Sequence, residues 1–289
     1  MTTWGEYYHG IASQMALFGE SNRALVAAAE LRPGMAVLDL ACGSGLTSLA
    51  ALEAVPEGLE LYLLDNHPSM IAEAQRQVGD RAAAYYTADA AQVAALLPER
   101  KLDRVLCNLS LWYFREPEAV LAELRKVLKP TGRLCFTLSG TYFNTTGGVV
   151  SPQWALMQAL HRRGDLARAL PGPDRLPNQR SIEGTLKGAQ FKPFHYAVQA
   201  ITADAPETAP GGELYNLMRL YPALPGADHQ AGVERTLAVL PAVADEIAAL
   251  KPRWRTVSFM AQPNIDPGEA LRLRFGDRLP GDRLPGVPG

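Results

Sequence analysis

The chain has 289 residues, enough for one elaborated domain or two small ones. With 47% hydrophobic and 20% charged residues, 25 Gly and 22 Pro, its composition is globular and excludes collagen-like or wholly disordered classes. The formal charge of -2, from 28 basic and 30 acidic residues, offers no field to hold a polyphosphate, so a small acceptor is expected and nucleic acid is not.

The amino-terminal stretch, Met-Thr-Thr-Trp-Gly-Glu-Tyr-Tyr-His-Gly, has no basic region followed by an apolar run, so no signal peptide is expected. No window approaches the roughly 20 apolar residues of a membrane helix, and the expected location is the cytoplasm. Between residues 35 and 140, short β-rich runs alternate with helical stretches, the pattern of βαβ units around a parallel sheet. The predicted strands are Met35–Leu40, Leu59–Leu64, Ala83–Ala88, Leu102–Leu109 and Arg133–Ser139. Leu46–Ala54 reads as a helix after the first strand, and another begins near Ser69 with Met70, Ile71, Ala74 and Val78 inward. A third, Glu116–Lys129, carries the stripe Val120, Leu121, Leu124, Val127 and Leu128, and Lys129-Pro130-Thr131-Gly132 stops it. Cys42, Cys107 and Cys135 lie in or beside apolar runs with no C-x-x-C pairing, and are read as reduced, buried thiols.

After Gly140 the rhythm changes. Residues 141–180 form an insert with one predicted helix, Gln153–Ala169; Ser181–Gln190 reads as a helix and Phe194–Thr202 as a strand. A mostly helical insert, Gly211–Leu250, precedes the strand Arg255–Ala261. The tail repeats Gly-Asp-Arg-Leu-Pro at 276–280 and 281–285, a density of Gly and Pro that predicts a flexible terminus.

The chemistry concentrates at strand ends. Leu38-Asp39-Leu40-Ala41-Cys42-Gly43-Ser44-Gly45 runs from the first strand into a helix, where small residues let backbone approach a ligand and the helix start offers N–H donors. Asp65 ends the second strand, 20 residues beyond Gly45, where a carboxylate can accept both hydroxyls of an adenosine ribose. Gly43-Ser44-Gly45-Leu46-Thr47-Ser48 nearly satisfies G-x-G-x-x-G/A, which brings a nicotinamide or flavin dehydrogenase into consideration. Against it, Asp39 would repel a pyrophosphate yet suits an ammonium group, and Asp89 offers an acceptor where an adenine amino group would project. Acids on successive strand ends suit a cationic adenosyl ligand. No His, Cys, Asp or Glu cluster has metal-ligand spacing, and no metal is expected.

On these residues the chain resembles the class I S-adenosylmethionine-dependent methyltransferases, in their small-molecule branch, whose first motif reads Asp-Leu-Ala-Cys-Gly-Ser-Gly or close to it. The resemblance covers residues 20–140 closely and 181–202 and 255–261 more loosely. It implies an α/β, Rossmann-like seven-stranded sheet, mostly parallel with the last strand antiparallel, with helices on both faces and a helical lid. It implies S-adenosyl-L-methionine as cofactor and S-adenosyl-L-homocysteine as product. Asp39, Ala41, Cys42, Gly43 and Gly45 would surround the methionine moiety; Asp65 would bind the ribose, with Asn66 and Met70 flanking the adenine. Asp89 and Ala90 would contact adenine, and Asn108, Leu109 and Ser110 would line the pocket near the sulfonium. The amino-terminal segment, with Trp4, Tyr7, Tyr8 and His9, would close over the cofactor.

The expected organisation is a single domain, 1–262, with core 20–140, 181–202 and 253–262, lid 1–19, 141–180 and 203–252, and tail 263–289. In such sheets ligands lie at the carboxyl ends of the strands, from which both inserts emerge, so acceptor contacts are sought at Trp112, Tyr142, Trp154, His161, Tyr215, Arg219 and Tyr221. Each also has a bland reading: packing within the lid for the aromatics, solvated surface for His161 and Arg219. The activity expected is in-line methyl transfer to O, N or C of a small molecule in bacterial specialised metabolism, by a monomer or homodimer. Alternatives are a peptide or carboxylate methyltransferase and a protein that binds the cofactor without methylating.

Overall fold

The computed structural model describes residues 3–111, 114–139, 162–163, 178–201 and 254–265. In chain order the principal elements are α1 (Trp4–Ala12), α2 (Ala16–Ala29), β1 (Ala36–Leu40), α3 (Leu46–Ala54), β2 (Glu60–Asp65), α4 (Pro68–Val78), β3 (Ala84–Thr87) and α5 (Val93–Leu96). They continue with β4 (Leu102–Cys107), α6 (Pro117–Val127), β5 (Leu128–Ser139), α7 (Gln179–Gly188), β6 (Phe191–Ile201) and β7 (Trp254–Pro263). The sheet has seven strands in the order β3-β2-β1-β4-β5-β7-β6. β3, β2, β1, β4 and β5 pair in parallel, and β7 runs antiparallel between β5 and β6. The expected Rossmann-like sheet is present; the repeated tail and, apart from residues 162–163 and 178–180, the inserts with the predicted helix Gln153–Ala169 lie outside the described residues.

Strand β1, Ala-Val-Leu-Asp-Leu, is buried throughout because helices cover both faces, as a central parallel strand requires. On one face Leu38, Leu40, Leu64 and Val105 pack with Leu121 and Leu124 of α6 and Ile182 and Leu186 of α7. On the other, Val37, Leu61, Leu63 and Leu106 pack with Leu25 of α2, Ala51 of α3 and Ala74 of α4. A third cluster joins Ala12, Met15, Leu17 and Phe18 of the first two helices to Leu109 and Ile201 at the strand ends. On the β5–β7–β6 side, Phe136 and Phe259 stack with centroids 5.2 Å apart and Tyr196 meets Phe259 edge-on at 5.1 Å, fixing the antiparallel register.

Boundaries differ from the sequence reading where local geometry intervenes. β4 stops at Cys107, two residues early, because Leu109 takes φ 57° and turns the chain away. β5 begins at Leu128, since Lys129-Pro130-Thr131-Gly132 runs as an irregular extension of the strand beside Leu102. A Cβ on Gly132 would lie 2.8 Å from the Leu102 carbonyl oxygen, so only glycine fits there. β6 begins three residues early and absorbs Pro193 at a register shift, as a residue without an N–H must be absorbed. No described helix is long and apolar enough to cross a membrane.

Candidate active site

The carboxyl ends of β1, β2 and β4 meet the amino-terminal helices around a cavity of about 290 Å³. Its wall is Tyr8, Phe18, Asn22, Ala41, Cys42, Gly43, Ser44, Leu46, Thr47, Asn66, Asn108, Leu109, Ser110 and Phe114. None of these carries a formal charge at neutral pH.

The floor is the β1–α3 turn. Ala41, Gly43 and Gly45 take φ of 55°, 51° and 86°, so every second residue is left-handed and the peptide planes roll over the strand end. At Gly45 a Cβ would also lie 3.1 Å from Val78 Cγ2 and 3.4 Å from Ala74 Cβ, so the turn seats against α4 only because a hydrogen stands there. α3 starts at Leu46 with no capping side chain, leaving its first N–H groups without intrahelical acceptors.

Asp65 holds the second side. Its Oδ2 accepts the Gly43 N–H at 2.9 Å and its Oδ1 the His67 N–H at 2.9 Å, which locks the carboxylate between two loops. Each oxygen keeps a further lone pair, the capacity needed for two ribose hydroxyls. His67 caps α4 and Pro68 opens it, so Asp65-Asn66-His67-Pro68 is a rigid turn, with Asn66 reaching the cavity wall.

Asp39 is placed otherwise than expected. It is not on the wall: it lies 1% exposed beneath the turn, its Oδ2 accepting the Ser48 hydroxyl at 2.7 Å. Its Oδ1 has no hydrogen-bond partner among the described residues. Burial pushes its carboxyl up to about 7, against the Ser48 hydrogen bonds, with the nearby Asp65 charge adding to the rise. Met70 is buried on the inner side of α4, and Gly45 and Asp65 support the wall from behind it. Asp89 also stands off the wall, using Oδ1 to accept the Ala91 N–H at 2.8 Å and cap a short turn that buries Ala90. The physical reason is common to both acids: a short carboxylate turns toward the nearest donor, the Ser48 hydroxyl for Asp39 and the Ala91 N–H for Asp89.

The amino-terminal helix lies over the site. The Gly5 N–H donates to Ser69 Oγ at 3.1 Å and Arg76 pairs with Glu6 at 2.7 Å, clamping α1 onto α4. This places the Tyr8 ring against Gly43 and His9 Nδ1 3.1 Å from Ser44 Oγ. Burial lowers the His9 pKa, with Glu73 opposing and Arg76 reinforcing that direction. Cys42 is on the wall, but burial raises its thiol well above the usual range, and burial does the same to Cys107 and takes Cys135 to about 12. All are unbridged and poor nucleophiles.

The sequence reading missed Phe18, Asn22, Ser44, Leu46, Thr47 and Phe114 as wall residues, and named Ser110. A signal for Asn22 existed: Ser21 and Asn22 interrupt an otherwise apolar buried stripe of α2. The acceptor candidates Trp112, Tyr142, Trp154, His161, Tyr215, Arg219 and Tyr221 lie outside the described residues. Among the described residues, no group of three His, Cys, Asp or Glu side chains is placed to hold a metal.

Residues 38–136, from β1 to β5 and including this turn and Asp65, match the family described as "Methyltransferase domain". Over these residues the chain is similar to the methyltransferase domain family. Similar curated proteins are the Ubiquinone/menaquinone biosynthesis C-methyltransferases UbiE of Paraburkholderia phymatum, 33% identical over 138 residues, and of Bordetella parapertussis, 31% identical over 139. These matches cover 44% and 45% of this chain and 56% and 54% of the relatives, so the chain spans about half the length of the curated relatives it matches. Among solved structures, YjhP from E. coli superposes with TM-score 0.57 at 18% identity, covering 89% of this chain and 98% of that one. The [4+2]-cyclase SpnF superposes with TM-score 0.55 at 16% identity, covering 84% and 81%. At these identities the structures speak to fold. The site suits S-adenosylmethionine on its own geometry: a locked carboxylate with two open lone pairs, beside a left-handed turn that seats on α4 only with glycine at 45.

Proposed function

We propose that this protein transfers a methyl group to O, N or C of a small-molecule acceptor, leaving S-adenosylhomocysteine. The observation that carries the proposal is the Asp65 carboxylate, held by the Gly43 and His67 N–H groups just behind the Gly43 and Asn66 part of the wall of a cavity floored by the left-handed turn. When bound, the cofactor supplies an already electrophilic sulfonium methyl. The protein's part is alignment and exclusion of water, and such positioning accounts for about 7 to 11 kcal/mol of barrier lowering in well-oriented systems. Asp65 would bind the ribose and Asn66 the adenine side, while Tyr8 and Phe18 close the cavity from above.

The described wall holds no Asp, Glu, His or Lys, so no strong base faces the acceptor from it. That favours an acceptor atom already nucleophilic near neutral pH: a free amine, an ionised phenol or enol, or the carbon conjugate to one. The relatives' description as C-methyltransferases weighs toward carbon. A place in bacterial specialised metabolism fits this acceptor range. A second reading, cofactor binding without methylation, draws on the cyclase that shares the fold.

Calorimetric titration of S-adenosylmethionine and S-adenosylhomocysteine, beside an Asp65→Ala control, tests the proposal. We expect micromolar affinity, weakened in the variant by about 2 kcal/mol, the order for a lost hydrogen bond to a charged group. No binding by the folded wild-type protein overturns it. Binding without methyl transfer to any amine, phenol or enol acceptor turns the case to the second reading.

A further inference from the structure

Opposite Asp65, a chain of side-chain hydrogen bonds has a direction that can be deduced. The Leu109 backbone N–H can only donate, and it donates to Thr137 Oγ1 at 2.9 Å. Among the described residues the Thr137 hydroxyl has one other side-chain hydrogen-bond neighbour, Asn108 Oδ1 at 2.5 Å, and donates its proton there. Asn108 must then turn its amide nitrogen toward α2, where it donates to Asn22 Oδ1 at 2.7 Å and Ser21 Oγ at 3.0 Å. The Thr47 hydroxyl donates to the same Asn22 Oδ1 at 2.7 Å. Both lone pairs of that oxygen are thus used, and the Asn22 orientation admits no flip. Its NH₂ has no acceptor among the described residues; the residue is only 4% exposed and lines the cavity. The amide is thus the donor that α2 presents to whatever fills the cavity.

We infer that Asn22 is a ligand-binding residue whose NH₂ donates to the α-carboxylate of the cofactor's methionine arm. This rests on the proposed cofactor reading. The carboxylate is the anionic group of S-adenosylmethionine, and the described wall offers no Arg or Lys to meet it. What the wall does offer is the Asn22 amide, tied through Thr47 to the uncapped first turn of α3. Neutral donors and a helix start at one point favour an anion there. Ala36-to-Gly45 sequence alone would not assign this role, because the donor comes from α2 and its direction is imposed from β5.

The test compares S-adenosylmethionine with decarboxylated S-adenosylmethionine by calorimetry on wild-type protein, Asn22→Asp and Asn22→Ala. The aspartate variant keeps an oxygen for Thr47 and Asn108 but replaces the donor with an oxygen that repels the carboxylate. It is expected to weaken S-adenosylmethionine at least tenfold while changing decarboxylated S-adenosylmethionine less than threefold; Asn22→Ala moves the same way to a smaller extent. Thermal melting of Asn22→Asp confirms that the network still folds, so the test stands even where the alanine variant does not. Equal losses for both ligands, or no loss for either, overturn the assignment; the second pattern with a raised KM for an acceptor moves the amide to the acceptor. Wild-type protein that binds neither ligand overturns the cofactor reading itself, a distinguishable failure.

Discussion

The two sides of the cavity are built from different material. The floor, residues 39–45, is main chain: three left-handed residues and a helix start, all within one stretch of sequence. The α2–β4 wall is side chain: Ser21 and Asn22, Thr47, Asn108 and Thr137, drawn from four separate elements or their ends and joined by hydrogen bonds. The floor depends on which residues tolerate positive φ, and the wall on whether every donor finds its acceptor. The comparison teaches that a floor can be damaged by adding one atom, and a wall by removing one.

The largest expected effect breaks the floor. Gly45→Val puts a β-branched residue at φ 86° and a Cβ against Val78 and Ala74. Left-handed backbone costs about 1 to 2 kcal/mol and overpacking about as much again, so a loss near 3 kcal/mol is expected in denaturant unfolding. The next breaks the wall. Thr137→Val keeps the shape but leaves the Leu109 N–H and Asn108 Oδ1 without Thr137. About 2 kcal/mol of stability should be lost, with weaker cofactor affinity because Asn108 is free to flip, measured by unfolding and titration on one preparation.

The smallest effect sharpens the comparison by probing beneath the floor. Asp39 has its carboxyl raised from 3.8 to about 7, so the folded state binds the proton more tightly than the unfolded chain. Its contribution is fully present below the unfolded value, declines as pH rises from about 4, and is gone above about 7. Wild-type stability should therefore fall from pH 5 to pH 8 by about 1 kcal/mol or more through this group, and Asp39→Asn should flatten that slope. Unfolding curves at both pH values decide it; an equal slope in the variant removes Asp39 as the cause.

Much of the architecture was legible because it is written locally. The all-apolar β1, the stripe Val120, Leu121, Leu124 and Val127 on α6, and Asp65 one strand beyond the glycine turn follow from period and spacing. The strand ends were less legible. Leu109 turning left-handed and Pro130 carried inside β5 depend on what the neighbouring strand presents. For the site, residue type identified the turn but not that Asp39 and Asp89 stand off the wall, since a carboxylate's direction is set by the nearest donors, Ser48 Oγ and the Ala91 N–H.

The sequence by itself determined the alternation of strands and helices, the glycine turn and the acid that follows it, because backbone preference and hydrophobic period act over a few neighbouring residues. Only the tertiary structure decided that Asn22 faces the cavity with its nitrogen. That orientation begins at the Leu109 N–H and passes through Thr137 and Asn108, and hydrogen-bond direction travels between side chains that touch in space however far apart they stand in the chain.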